Sequence, residues 1–311
     1  MPVIPISDRV SLITGPEGSR FPYANAFYVD DDVPTLVDAG CDERELTRLP
    51  RVERIVCTHY HLDHVRKTWL FPDAELWVPE KDAHVFRGGL AEIAKAVGLA
   101  GEAARRWERE LPTEPRPIRL SMRDQYEWRL ALRPPARTFG DGQVIVLGET
   151  KVETILAPGH TAGHTCPFFQ KENLLHLVDV DLSPLGPWYG GIDGDLEAFE
   201  RTILRLLKFP ATEFTTAHSP ERIRGEAVRP RLEAYLAKIR ERDERILDLL
   251  ARRPRSLADL MEEGIVFSRE HQREDEWIEL WEKNMVGKHL DRLARDRRVG
   301  KTDGVFAIAA A

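Results

Sequence analysis

Only three of the 311 residues are cysteine, Cys41, Cys57 and Cys166. Three thiols cannot build a disulfide framework, and the expected setting is a reducing cytoplasm. No apolar run approaches the ~20 residues that a membrane-spanning helix needs. The start, Met1-Pro2-Val3-Ile4-Pro5-Ile6, has no basic segment ahead of an apolar core, so neither a membrane partner nor a secretory signal is expected. An excess of positive charge is missing too: 45 Lys and Arg stand against 52 Asp and Glu, a net charge of −7. Residues 229–311 carry +1 and the first 228 carry −8, so neither part has the basic footprint that phosphate-backbone binding leaves. At 42% hydrophobic and 31% charged, the chain has ordinary globular composition, enough for one large domain or a medium one plus a small one.

The first ~80 residues read as short strands joined by turns: Phe27-Tyr28-Val29-Asp30, Thr35-Leu36-Val37-Asp38-Ala39-Gly40, Arg54-Ile55-Val56-Cys57-Thr58 and residues 76–79. From residue 88 the pattern turns helical, with Leu90, Ile93, Ala94 and Val97 in phase and Trp107 and Leu111 beyond them. Proline-rich stretches at 112–117 and 134–135 mark an insertion spanning about 85–140, which lies between two histidine motifs and is expected to cap the site. Its Trp107, Tyr126 and Trp128 are candidates to line an apolar pocket. Strands return at 144–147, 152–156, 174–178 and 213–217, with a helix over 196–207. From about Pro230 the order is a long helix, helices near Leu257–Met261 and Trp277–Arg298, then strands joined by an Asp303-Gly304 turn. That order is winged-helix-like, and residues 229–311 are expected to form a separate lobe. The stripe Leu232, Tyr235, Leu236 and Ile239 must be buried against the first 228 residues or a second copy of the chain.

Six of the ten histidines fall in three short motifs, each following an expected strand. They are Thr58-His59-Tyr60-His61-Leu62-Asp63-His64, Pro158-Gly159-His160-Thr161-Ala162-Gly163-His164 and Thr216-Ala217-His218-Ser219. Imidazoles and carboxylates on strand-end loops can converge on one sheet edge, and they are the donors that zinc or iron prefers. A metal site is expected. His164 reads as structural, His84, His176, His271 and His289 as ordinary, and Cys57 and Cys166 as small buried hydrophobes. Ser219 beside His218 makes a poor nucleophile and base.

This motif set resembles the metallo-β-lactamase-fold hydrolase superfamily over roughly residues 8–225, with Asn25 and Leu36-Val37-Asp38-Ala39-Gly40 matching upstream. The resemblance implies an α+β fold, an αββα sandwich with metals at one edge. Here it would carry the helical insertion and the winged-helix-like C-terminal domain. It further implies that His59, His61 and His160 hold one divalent metal, and Asp63, His64 and His218 a second. Zinc is the first expectation, with iron or manganese as alternatives. For the bridging carboxylate, Asp179 follows an apolar strand nineteen residues after His160, with Asp181 as the alternative on the same side if the strand continues. Asp38 is expected to orient a ligand histidine, Asp63 to orient the nucleophile as well as bind metal, and Tyr189 to donate to a developing oxyanion.

The expected activity is hydrolysis of a small ester, thioester or lactone by a metal-bridging hydroxide. His64 argues against the commonest zinc β-lactamases, and the 38 residues between Asp179 and His218 leave no room for a large late insertion. A metal-dependent endoribonuclease using the tail, or a non-haem iron redox enzyme, stays open. Lys288, Arg292, Arg295, Arg297 and Arg298 give residues 288–298 a net +3 that favours the former.

Overall fold

Strand-forming runs dominate the first 224 residues because β-branched and aromatic side chains there fill two facing layers. The computed structural model describes residues 3–96, 98, 129–274 and 276–309. Among these, β1 (Val3–Pro5), β2 (Val10–Ile13), β3 (Ala26–Val29), β4 (Thr35–Val37), β5 (Arg54–Val56), β6 (Glu75–Pro79) and β7 (Arg137–Phe139) form one sheet in sequence order. The first four pair antiparallel, and β4 to β7 run parallel. β8 (Val144–Val146), β9 (Lys151–Leu156), β10 (Thr165–Phe169), β11 (Leu174–His176), β12 (Glu213–Thr216) and β13 (Ser219–Arg224) form the second sheet, also in sequence order. Only β11 and β12 are parallel within it.

Leu12, Phe27, Val37 and Trp77 of the first sheet meet Ile145, Val152, Phe169 and Leu174 of the second in one buried layer. The outer face of the first sheet buries Leu36, Ile55 and Val78 under Val85, Phe86 and Ile93 of the helices Ala83–Gly88 and Leu90–Ala96. The outer face of the second packs Cys166, Leu175 and Phe214 on Phe199 and Ile203 of the helix Leu196–Leu206. Helix, sheet, sheet, helix is the αββα order that the resemblance implies. Most of the insertion lies outside the described residues, as do Val97, Trp107, Leu111, Tyr126 and Trp128.

After β13 come the helix Val228–Arg252, β14 (Arg255–Ser256), the helices Leu257–Met261, Arg269–Glu274 and Glu276–Arg295, then β15 (Val299–Thr302) and β16 (Val305–Ile308). The strands pair β14-β16-β15 in a small third sheet. Asp303 and Gly304 both take positive φ in the hairpin turn. The long helix serves two cores. Leu232, Tyr235 and Ile239 pack on the second sheet and its helix, while Ile246, Leu249 and Leu250 join Leu260, Leu290 and Phe306 in a separate hydrophobic cluster. No described helix is long and apolar enough to cross a membrane.

Candidate metal centre

Five strand ends build the site. Asp38 follows β4, His59 follows β5, His160 follows β9, Asp179 follows β11 and His218 sits in the turn from β12 to β13. His61 caps the short helix Leu62–Val65, which carries Asp63 and His64. Side chains leaving the carboxyl ends of neighbouring strands meet in a common crevice. Two glycines allow the approach. A Cβ on Gly40 would stand 1.4 Å from the carbonyl oxygen of Asp63, and Gly159 takes φ +133 with its absent Cβ 2.4 Å from Phe199.

The structure gathers His59, His61 and His160 into one group and Asp63, His64, Asp179 and His218 into another, the ligand atoms of each within 4.8 Å of one another. Asp179 lies between them. Its Oδ1 is 2.9 Å from His218 Nε2, and its Oδ2 is 3.0 Å from His64, 3.5 Å from His59 and 3.8 Å from His160. Asp63 Oδ2 is 3.5 Å from His218 Nε2.

Hydrogen bonds at the far ring nitrogens set which nitrogen is available. His59 Nδ1 donates to Thr58 Oγ1 (3.1 Å), His64 Nδ1 to Asp38 Oδ2 (2.7 Å), His160 Nδ1 to the Trp188 carbonyl (3.1 Å) and His218 Nδ1 to the Ser19 and Tyr23 carbonyls (3.0 Å each). In a neutral ring each bond leaves Nε2 as a lone pair facing the centre; when the ring is protonated, His218 Nε2 donates to Asp179 Oδ1 (2.9 Å). His61 presents Nδ1, 2.8 Å from His160 Nε2. His59 Nε2, His64 Nε2 and Asp179 Oδ2 are buried with no hydrogen-bond partner. Orphaned acceptors on neutral imidazole and carboxylate are the donor set a divalent cation satisfies, so the residues fit the group.

Burial, reinforced by neighbouring imidazoles, holds His59 well below the ordinary histidine range, takes His61 to about 3 and holds His160 well below as well. Burial would lower His64 and His218 too. Asp179, Asp38 and Asp63 instead raise His64 well above 6.5, and the hydrogen bond and charge of Asp179 bring His218 to about 9. Burial pushes Asp179 upward, but His64 and His160 outweigh it and hold the carboxyl well below its usual range.

Three expectations change on this geometry. Tyr189 does not face the metal-ligand groups: it is fully buried, its hydroxyl donates to His289 Nε2 (2.7 Å) and it accepts from Arg242 (2.8 Å), so it has no free proton for an oxyanion. Strand alternation does not govern Asp179 and Asp181, because β11 ends at His176 and Val178 takes a left-handed φ of 55°, and only Asp179 joins the converging ligand atoms. Asp181 instead accepts from the Ser183 amide (3.1 Å), while the Tyr235 hydroxyl donates to the Asp179 carbonyl (3.3 Å). His289, read as ordinary, joins Tyr189 to Asp243. His164 lies beside the centre with both nitrogens spent: Nδ1 donates to the Ala157 carbonyl (2.9 Å), and Nε2 accepts the Asp179 amide (3.1 Å). No local sequence signal marks the Trp188 carbonyl.

Asp82 adds a stability lever under the site. It is fully buried, accepts from Thr161 Oγ1 (3.1 Å) and is raised from 3.8 to about 7 by burial and by Asp193. Between pH 4 and 7 the folded state therefore keeps a proton that the unfolded chain has lost. Stability falls as pH rises through that window, by up to about 4 kcal/mol. Asp82→Asn should raise Tm by several degrees at pH 8 and little at pH 5, read by thermal unfolding at both values.

Comparison with known proteins agrees with this architecture. A metallo-beta-lactamase family protein from Thermus thermophilus is 19% identical with a TM-score of 0.71, over 98% of this chain and 100% of that one. A beta-lactamase domain protein from Burkholderia ambifaria is 19% identical with a TM-score of 0.69, over 99% and 93%. Both likenesses concern the fold, and they extend over the C-terminal lobe. A hydroxyacylglutathione hydrolase from Rhizobium etli is 43% identical over 44 residues, 14% of this chain and only 17% of that relative's length. Residues 20–218, well over half of the chain, match the profile of the Metallo-beta-lactamase superfamily. The chain is therefore a member of that superfamily, a hydrolase of the metallo-β-lactamase fold.

Proposed function

We propose a dinuclear metal-dependent hydrolase acting on a small ester, thioester or lactone. One observation carries it: seven side chains from four strand ends converge with three buried acceptors left unpaired, and a single carboxylate stands between both groups. His59, His61 and His160 would hold one divalent ion, Asp63, His64 and His218 the other, and Asp179 would touch both. Two such ions supply water acidified towards a pKa of ~7 and polarisation of a carbonyl oxygen. Asp63 orients the attacking water. Trp188, half-buried with its ring 5.1 Å from His160 and 5.4 Å from His61, screens the first triad from solvent. The partial match to a hydroxyacylglutathione hydrolase supports an acyl-transfer substrate.

The C-terminal lobe, residues 229–311 in this reading, is not a nucleic-acid grip. Arg292 pairs with Asp243 and Glu200, Arg295 with Glu197, and Lys288 binds the Tyr189 and Gly191 carbonyls. Those cations are spent on the chain itself and are not presented to phosphates.

Purified protein reloaded separately with zinc, iron or manganese should bind two ions per chain and hydrolyse members of a thioester and lactone panel. His61→Ala should abolish hydrolysis and His84→Ala should not. Single-stranded RNA and duplex DNA should bind more weakly than micromolar at ~50 mM salt. RNA cleavage with tight, salt-sensitive binding would replace this reading with the nuclease one.

A further inference from the structure

The loop between Asp179 and the helix Leu196–Leu206 is rich in Gly and Pro, and loop carbonyls of that kind ordinarily face water. Here they face the C-terminal lobe. Arg242 Nη2 donates to the Leu185 carbonyl (2.6 Å) and Nη1 to the Pro187 carbonyl (2.7 Å). Lys288 Nζ donates to the Tyr189 carbonyl (2.8 Å) and to that of Gly191, and Asn284 Nδ2 donates to the Gly190 carbonyl (2.8 Å). In the midst of these, the Trp188 carbonyl takes the His160 Nδ1 proton.

The clamp is itself braced. Arg242 is 5% exposed and also donates to the Tyr189 hydroxyl, which donates to His289. His289 Nδ1 donates to Asp243 (2.7 Å), which fixes Nε2 as the acceptor for Tyr189. Each of these groups is partnered on both sides, the condition under which a buried network rigidifies its surroundings. The ring of Trp188 is held as well, edge-on to Trp281 at 5.3 Å and 90°. A Cβ on Gly190 would lie 2.8 Å from the Trp188 ring, so the turn accepts little but glycine.

We propose that the C-terminal lobe is a positioning element of the metal centre: through Arg242, Asn284 and Lys288 it holds residues 185–191 so that the Trp188 carbonyl fixes His160 with Nε2 turned to the first triad. The inference rests on the reading that His160 is a metal ligand. It assigns the lobe a task within the same chain. Outer partners of ligand histidines are worth about 10–100-fold in metal affinity, and here the partner's position depends on side chains more than fifty residues away in sequence.

The test is a zinc titration against a chromophoric chelator, which resolves two affinities per chain. The variants are Asn284→Ala, Lys288→Met, Lys288→Arg and Tyr189→Phe, with Lys301→Ala as a surface control. Asn284→Ala and Lys288→Met should each weaken one affinity about 10–100-fold and leave the other unchanged. Lys288→Arg should restore it in part. In a His160→Ala background, Lys288→Met should have no further effect on metal binding. Wild-type protein that binds no zinc overturns both the metal reading and this inference. Wild-type protein that binds two ions, with both affinities unchanged in Asn284→Ala and Lys288→Met, overturns the inference alone. It is likewise overturned if both affinities fall together with Tm, or if Lys288→Met acts additively on His160→Ala.

Discussion

Replacing Asp179 with Asn is expected to cut hydrolysis at least ~1,000-fold, about 4 kcal/mol of transition-state stabilisation, and to lower metal content, whereas Asp181→Asn should leave both within about threefold. Asp179 offers one oxygen to His218 and the other to His64, His59 and His160, so it is the only carboxylate between the two imidazole groups among the described residues. An amide there keeps the shape and loses the charge. It also turns an N–H₂ towards nitrogens that present lone pairs. Asp181, two residues on, accepts the Ser183 amide and belongs to neither group of converging ligand atoms. Steady-state hydrolysis of the best panel substrate and elemental analysis of the dialysed proteins check both halves. An inactive Asp181→Asn with an active Asp179→Asn would move the bridge to Asp181.

The parts legible in the sequence were those where local pattern and tertiary role coincide. Strands such as Thr35–Val37 and Arg54–Val56 announce themselves because they are buried on both faces and end at the polar residues that serve the site. The histidine motifs were equally visible, since three imidazoles and a carboxylate within residues 59–64 serve few purposes besides holding a metal. β10 was not visible. Its Pro167 reads as a breaker, yet it lies opposite Thr154, whose amide and carbonyl bond to Gln143 and Gly142 on the far side. The proline nitrogen therefore owes no bond to β9, and β11 pairs only with Phe168 and Phe169 beyond it. The helix Arg269–Glu274 was missed because its six residues hold no apolar side chain to set a period. The role of the loop at 185–191 could not be read at all. It depends on carbonyls, which every residue carries, and on donors from two helices far along the chain.

If His64 is a metal ligand as proposed, Asp38, outside the ligand set, sets its tautomer, and Asp38→Asn is expected to weaken one zinc affinity about 10–100-fold. The carboxylate is fully buried at a left-handed backbone position (φ 59°), which Asn tolerates as well as Asp. Its Oδ1 accepts the Thr58 amide (2.8 Å), and its Oδ2 accepts both Thr58 Oγ1 (2.7 Å) and His64 Nδ1 (2.7 Å). All three partners donate, so an amide nitrogen fits neither place without a conflict. The Thr58 backbone cannot surrender its proton, which keeps the Asn oxygen at the Oδ1 position and puts the Asn nitrogen against His64. His64 then accepts at Nδ1 and carries its proton on Nε2, the atom 3.0 Å from Asp179 Oδ2. The ring stays in place and its ligand lone pair is lost. Chelator competition should therefore show one weakened affinity with the fold intact, and hydrolysis falling in step with occupancy of that site. Asp38→Ala should differ in kind: it leaves three buried donors unpaired, at about 1–3 kcal/mol each, and should lower the denaturant midpoint as well as the affinity. Two undiminished affinities in Asp38→Asn would mean that His64 holds its tautomer without Asp38 or does not bind metal, and His64→Ala separates those cases.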